Sequence, residues 1–159
     1  MSQSHRTGPA PLPGGRPRRL KTCSPTHAGI VIGPEPASVA HVRRWAAGAT
    51  HGTPRRSHDV ALAASELTTN ALRHSRSGQQ GGRVVVELLT REDHYLLRVT
   101  DDGPRPGEQD QFPRVRDTAA EVPGGLGLCL VSAISRGWSW LINTDGTVTV
   151  QAEIPSRAQ

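Results

Sequence analysis

Hydrophobic residues change spacing several times along this 159-residue chain, and the changes mark its elements. Ala28–Ile32 is a short apolar run stopped by Gly33-Pro34 and reads as a strand. Val39, Val42, Trp45 and Ala46 then recur at helical spacing behind Ser38, which is placed to cap that helix. Gly48 and the turn Gly52-Thr53-Pro54 end it. A second helix starts at Pro54 or Ser57, carries the stripe Val60, Ala64, Leu67 and Ala71, and runs out over Ser75–Gly82. Alternation then sets in. Arg83–Thr90 places Val84, Val86 and Leu88 on one side, and Asp93-His94 turns the chain into a return strand, Tyr95–Thr100. Pro104–Pro123 has few apolar residues and reads as a mobile loop, after which Gly125–Ser135 is helical. Trp138–Ile142 and Thr147–Ile154 form a second hairpin around Asn143-Thr144-Asp145-Gly146, where Asp-Gly is a strong turn signal. Helices, hairpin, helix and hairpin in this order predict an α/β sandwich with one mixed sheet and helices on a single face.

Composition narrows the classes. The length suits one domain able to bury a core without metals or disulfides. Cys23 and Cys129 are too far apart for a metal knuckle, and a reduced cytoplasmic setting is expected. No apolar run approaches a membrane span, and the start of the chain has no secretory apolar region. The net charge of +5 is concentrated in the first 21 residues, which hold Arg6, Arg16, Arg18, Arg19 and Lys21 and no acid. The remainder is neutral, so no folded nucleic-acid-binding patch is expected. Residues 1–26 are Pro/Gly-rich and read as a disordered basic tail, with the domain over 27–156. Lys21 is the only lysine, which excludes a Gly-Lys-Ser/Thr phosphate loop. Trp45, Trp138 and Trp140 are expected to pack in the core or hairpin, and Cys129 to be a small core residue.

Three short blocks carry candidate chemistry. Glu66 and Asn70 sit at i and i+4, on one helical face. An amide oxygen suits Mg²⁺ without adding charge, and a carboxylate one turn away suits ordering or deprotonating a hydroxyl. Asp101 ends a strand before Asp102-Gly103, where a carboxylate can accept from an exocyclic amine and glycine lets a ring approach the backbone. Gly124, Gly125 and Gly127 precede a helix whose first N–H groups are suited to phosphate oxygens. Taken singly, each block also fits a bland reading as a surface pair, a strand-ending turn or a loose helix start. Arg73 and His74 close the first block, with His74 placed either to contact phosphate or to cap its helix, capping being the favoured reading.

In this order and spacing the blocks resemble the GHKL ATPase superfamily (gyrase, heat-shock chaperone, histidine kinase, MutL), and most closely its small single-domain anti-sigma factor serine kinases. Glu66-Leu-Thr-Thr-Asn70-Ala-Leu-Arg-His74 resembles that family's N box, Asp101-Asp102-Gly103 its G1 box, and Gly125-Leu126-Gly127-Leu128 its G2 box. The resemblance implies a Bergerat-type two-layer α/β sandwich, mostly antiparallel, with a lid over about 104–123. It implies ATP with Mg²⁺ as cofactors. Asn70 would hold the metal and Glu66 would act as base. Asp101 and Gly103 would meet adenine, and Gly125, Leu126, Gly127 and Leu128 would line the phosphates. It also implies transfer of the γ-phosphate to a serine of an anti-anti-sigma partner, sequestration of a sigma factor, and a homodimer. A non-catalytic, ATP-dependent docking module is the alternative. The chain departs from the family at Arg105, where another glycine is usual, and in the prolines of its lid.

Overall fold

The computed structural model describes residues 15–108, 112–113 and 126–157. Its order is β1 (Arg18–Arg19), β2 (His27–Ile32), α1 (Ala37–Ala49), α2 (Pro54–His74), β3 (Val84–Thr90), β4 (His94–Asp101), α3 (Gly127–Ile134), β5 (Gly137–Ile142) and β6 (Val148–Pro155). A single 3₁₀ turn, Arg76–Gly78, follows α2. The six strands lie in the order β1-β2-β3-β4-β6-β5, and α1, α2 and α3 pack on one face of the sheet. This is the expected two-layer sandwich.

Every strand pairing is antiparallel, so the expected mixed sheet is corrected. The reason is the number of helices between β2 and β3. One crossover helix returns the chain for a parallel strand, whereas α1 and α2 run out and back and leave β3 antiparallel to β2.

The core lies between the sheet and α2. Val84, Val86 and Leu88 of β3, Leu97 and Val99 of β4, and Val150, Ala152 and Ile154 of β6 meet Val60, Ala64, Leu67 and Ala71 of α2. Burying each larger side chain contributes roughly 1.5–3 kcal/mol. The alanines of α2 let its backbone lie close to the strands. At 21 residues this helix is about 30 Å long and spans the domain, which fixes the positions of Glu66 and Asn70. Pro54 occupies its first turn, and the Thr53 side chain accepts the Arg56 N–H at 3.4 Å.

Three local expectations change. Ser38 does not cap α1: the helix begins at Ala37, and Ser38 is buried inside its first turn. Pro36, at φ −54° and ψ −32°, already has helical geometry, so the start moves forward. Within the segment read as disordered, Arg18–Arg19 pairs with β2, and Leu20 N–H donates to the Gly29 carbonyl at 2.9 Å. Leu20 lies over Gly29, where a β-carbon would come within 2.5 Å of Leu20 Cδ1. Trp45 is buried and Trp138 half-buried as expected, but Trp140 is exposed at the sheet's edge. Cys129 is only half-buried.

Candidate functional site

Helix α2 presents Glu66 and Asn70 one turn apart, both partly exposed, on either side of the fully buried Thr68. Among the described residues neither side chain has a hydrogen-bond partner. Across from them starts α3. A β-carbon placed on Gly127 would sit 2.6 Å from Oε2 of Glu66, so the helix start and the carboxylate are in direct apposition. Residues 61 apart in sequence thus share one wall of a cradle. Glycine at 127 keeps that wall clear, since any side chain there would displace the carboxylate.

The first N–H groups of α3 have no intrahelical acceptor, as at every helix start. Leu126 occupies the N-cap position, has no side-chain cap, and is 64% exposed. Leu128 is buried in the core, so only its backbone faces the α3 start. Gly124 and Gly125 lie outside the described residues, as does most of the expected lid.

The loop after β4 carries the second group of candidate residues. Asp101 pairs with Val148 and projects from the helix-covered face of the sheet, in line with Val99. Its Oδ1 accepts the Gly103 N–H at 2.7 Å. Burial pushes its carboxyl up to about 6, with the Asp102 charge adding to the rise; the Gly103 N–H and the Arg76 guanidinium oppose it. Gly103 has φ +88°, and a β-carbon there would collide with the Gly146 carbonyl. Both conformation and space therefore call for glycine.

This loop is fastened to the end of α2. Arg76 N–H donates to the Gly103 carbonyl at 2.9 Å, and its guanidinium donates twice to the Asp102 carbonyl, through Nε at 3.1 Å and through Nη2. Asp102 N–H donates to Ser77 Oγ at 2.8 Å, while Asp102 Oδ2 accepts the Arg83 N–H at 2.9 Å. Ser77 Oγ donates to the Arg83 carbonyl at 2.6 Å. The two carboxylates thus divide the work: Asp101 lies on the helix-covered face of the sheet and Asp102 holds the loop. Arg105, where the family has glycine, donates from Nε to the Ser75 carbonyl at 3.2 Å and belongs to the same fastening.

Sequence reasoning placed Glu66, Asn70, Asp101, Gly103 and Gly127, and the fold brings Glu66 to Gly127 and Asp101 to Gly103. It missed Arg76 and Ser77. Their only signal is proximity to the helix end, and their partners in the β4 loop are 25 or more residues away. The contact from Thr100 Oγ1 to Thr149 Oγ1, 2.8 Å long, lies on the opposite face of the sheet and takes no part in the cradle.

Residues 32–152 match the histidine kinase-like ATPase domain. The chain belongs to that family. A domain of that family implies ATP binding. The chain is also similar to serine-protein kinase RsbW of Listeria monocytogenes serovar 1/2a (strain ATCC BAA-679 / EGD-e), 33% identical over 82 residues, 48% of this chain and 52% of the relative. RsbW of Listeria innocua serovar 6a is 32% identical over 82 residues, with the same coverage. The chain thus spans about half the length of the curated relatives it matches. Among the described residues, no helix is long and apolar enough to cross a membrane.

Proposed function

We propose that this histidine kinase-like ATPase is a regulatory protein kinase of the anti-sigma type. It binds Mg·ATP, transfers the γ-phosphate to a serine of an anti-anti-sigma partner, sequesters a sigma factor in the cytoplasm, and works as a homodimer. The observation that carries this reading is the apposition of Glu66 to Gly127, with Asp101 and Gly103 fastened to the far end of the same helix. The names of the RsbW relatives support the choice of serine as acceptor.

The donor set suits the metal. Glu66 and Asn70 offer hard oxygens of the kind Mg²⁺ takes. Among the described residues, no cluster of three or more His, Cys, Asp or Glu could hold a metal without outside ligands. A cation at Asn70 would therefore share its shell with phosphate oxygens and water, and when bound it neutralises phosphate charge.

The remaining steps belong to the chain's own groups. Asp101 accepts the adenine amine and orients the base, and Gly103 lets the ring lie against the backbone. The N–H groups opening α3 receive phosphate oxygens, favoured by the helix dipole. Glu66 accepts the proton of the incoming serine hydroxyl as its oxygen bonds the γ-phosphorus in line, and the bond to the β-phosphate oxygen breaks to release ADP. The test is transfer of labelled γ-phosphate to the candidate partner. Transfer by wild type that Glu66→Ala loses, while ATP binding survives, supports the kinase. ATP binding with no transfer to any partner favours the docking module instead.

A further inference from the structure

We propose that Arg76 is a positioning residue for recognition of the base: its guanidinium fixes the Asp102–Gly103 peptide, and that peptide decides which Asp101 oxygen is held by the protein and which is left for an amine of the ligand. This rests on the reading above that Asp101 accepts the adenine amine, and it names what sets that acceptor.

The Asp102 carbonyl and the Gly103 N–H belong to one planar trans peptide, so they point in opposite directions and turn together. Both are engaged. The carbonyl accepts from Arg76 through Nε at 3.1 Å and through Nη2. The N–H donates to Asp101 Oδ1 at 2.7 Å. Arg76 and Asp101 therefore grip the two sides of a single peptide. A charged donor on the carbonyl also polarises the peptide and strengthens the bond that its N–H makes. Among the described residues, Oδ2 of Asp101 has no hydrogen-bond partner. That oxygen is the one free to accept an exocyclic amine.

This peptide needs an outside hold. Asp102 is fixed on its N-terminal side, where its N–H donates to Ser77 Oγ at 2.8 Å and its Oδ2 accepts the Arg83 N–H at 2.9 Å. On the other side stands Gly103, at φ +88°. Glycine suits that conformation, and it is also the residue that least resists rotation of the peptide before it. A turned peptide would present its carbonyl oxygen, not its N–H, to the Asp101 carboxylate. Two acceptors would then face each other, and Oδ1 would be released. The guanidinium opposes that turn with two donors on one carbonyl. The charge of Arg76 also opposes the rise that burial imposes on the Asp101 carboxyl, which favours the ionised, acceptor-only form.

The side chain can be removed without detaching the loop. Arg76 is exposed, and among the described residues its guanidinium hydrogen-bonds only the Asp102 carbonyl. Its backbone N–H, which donates to the Gly103 carbonyl at 2.9 Å, survives any substitution except proline. That bond, Ser77 and Arg83 still join the loop to the end of α2 and the start of β3 when the guanidinium is lost.

The experiment is titration calorimetry of the full chain with Mg·ATP and with Mg·ITP, whose base carries an oxygen where adenine carries the amine. Wild type, Arg76→Ala, Asp101→Ala and the double variant are compared, with urea unfolding as the folding control. Wild type should prefer ATP about tenfold or more, the scale of one hydrogen bond to a charged acceptor. Asp101→Ala should lose that preference. Arg76→Ala should lower it by about threefold or more through weaker ATP binding, with ITP affinity changed by less than about twofold, and should add nothing to Asp101→Ala in the double variant. A merely structural role would weaken both nucleotides together. Wild type that does not bind ATP, or a preference that survives Asp101→Ala, overturns the adenine reading along with this role of Arg76. Where Asp101→Ala behaves as expected, an unchanged preference in Arg76→Ala, an equal fall for both nucleotides, or additive losses in the double variant overturns the role of Arg76 alone. If Arg76→Ala does not fold, Arg76→Met takes its place, keeping the aliphatic stem and no donor, and an unchanged preference there overturns the role in the same way.

Discussion

The two ends of the cradle are held in opposite ways. At the Asp101 end, the loop after β4 is tied to the end of α2 by Arg76, Ser77, Arg83 and Arg105, all through groups within the chain. At the Glu66 end, a carboxylate and an amide stand on one helix face with no hydrogen-bond partner among the described residues, facing the glycine that opens α3. One end is organised before any ligand arrives. The other presents unused oxygens and N–H groups, which is how a site looks when its charges are to be met by phosphate and metal. Base recognition should therefore be separable from phosphate chemistry.

Four predictions test that separation, from the largest effect to the smallest. Glu66→Ala should lower phosphotransfer about 10²–10⁴-fold, the usual contribution of a positioned general base. Titration calorimetry should find its ATP affinity close to wild type. If Glu66→Ala instead loses ATP binding outright, the two ends are not separable and the comparison fails.

Asp101→Ala should do the converse. Losing one hydrogen bond to a charged acceptor costs about 1.5–3 kcal/mol, so ATP affinity should fall about 10- to 150-fold. Calorimetry at fixed pH measures this directly. An unchanged affinity would remove adenine from the Asp101 pocket.

Gly103→Ala strikes the organised end through the backbone. A non-glycine residue held at φ +88°, against the Gly146 carbonyl, should destabilise the fold by about 1–3 kcal/mol, seen as a lower midpoint in urea. Gly127→Ala provides the contrast. There the obstacle is the end of a flexible glutamate, so stability should change by less than about 1 kcal/mol while transfer drops.

The most gradual effect is one of pH. Asp101 has a folded pKa of about 6, raised from 3.8. The fold therefore holds that proton more tightly than the unfolded chain does, and stability falls as pH rises from about 4 to about 6. The full change is at most about 3 kcal/mol. Asp101→Asn should flatten this segment of the stability profile. In ATP binding the sign reverses, because the adenine amine favours the ionised carboxylate: affinity should rise from pH 5 to pH 7 in wild type and stay level in Asp101→Asn.

Most of the architecture was legible because its signals are local. Period-two alternation marked β3, turn signals marked the hairpins that hold β4 and β6, and period 3.6 marked α1 and α2; the α2 stripe is buried throughout, and in α1 Val42, Trp45 and Ala46 are buried with Val39 half-buried. Asn143–Gly146 turned as its residues suggested, with Gly146 N–H donating to the Asn143 carbonyl at 3.0 Å and Gly146 at φ +84°. Candidate site residues were legible because nucleotide chemistry restricts their types and because three short blocks kept a family's order.

What stayed hidden depends on partners distant in sequence. Strand β1 could not be read from two arginines, since it exists only because β2 offers an edge and Gly29 leaves room for Leu20. Ser77 and Arg76 gain their role only when the end of α2 meets a loop 25 residues away. Trp140 has the composition of a core residue, yet lies exposed because β6, not β5, is the strand that joins β4. The sequence by itself determined the elements, their buried faces and the chemical types available for a site, because spacing and side-chain chemistry are properties of neighbours along the chain. Only the tertiary structure decided which carboxylate lies on the helix-covered face, which one holds the loop, and which strands lie at the two edges of the sheet. Those outcomes turn on strand order and on the meeting of backbone groups from different elements.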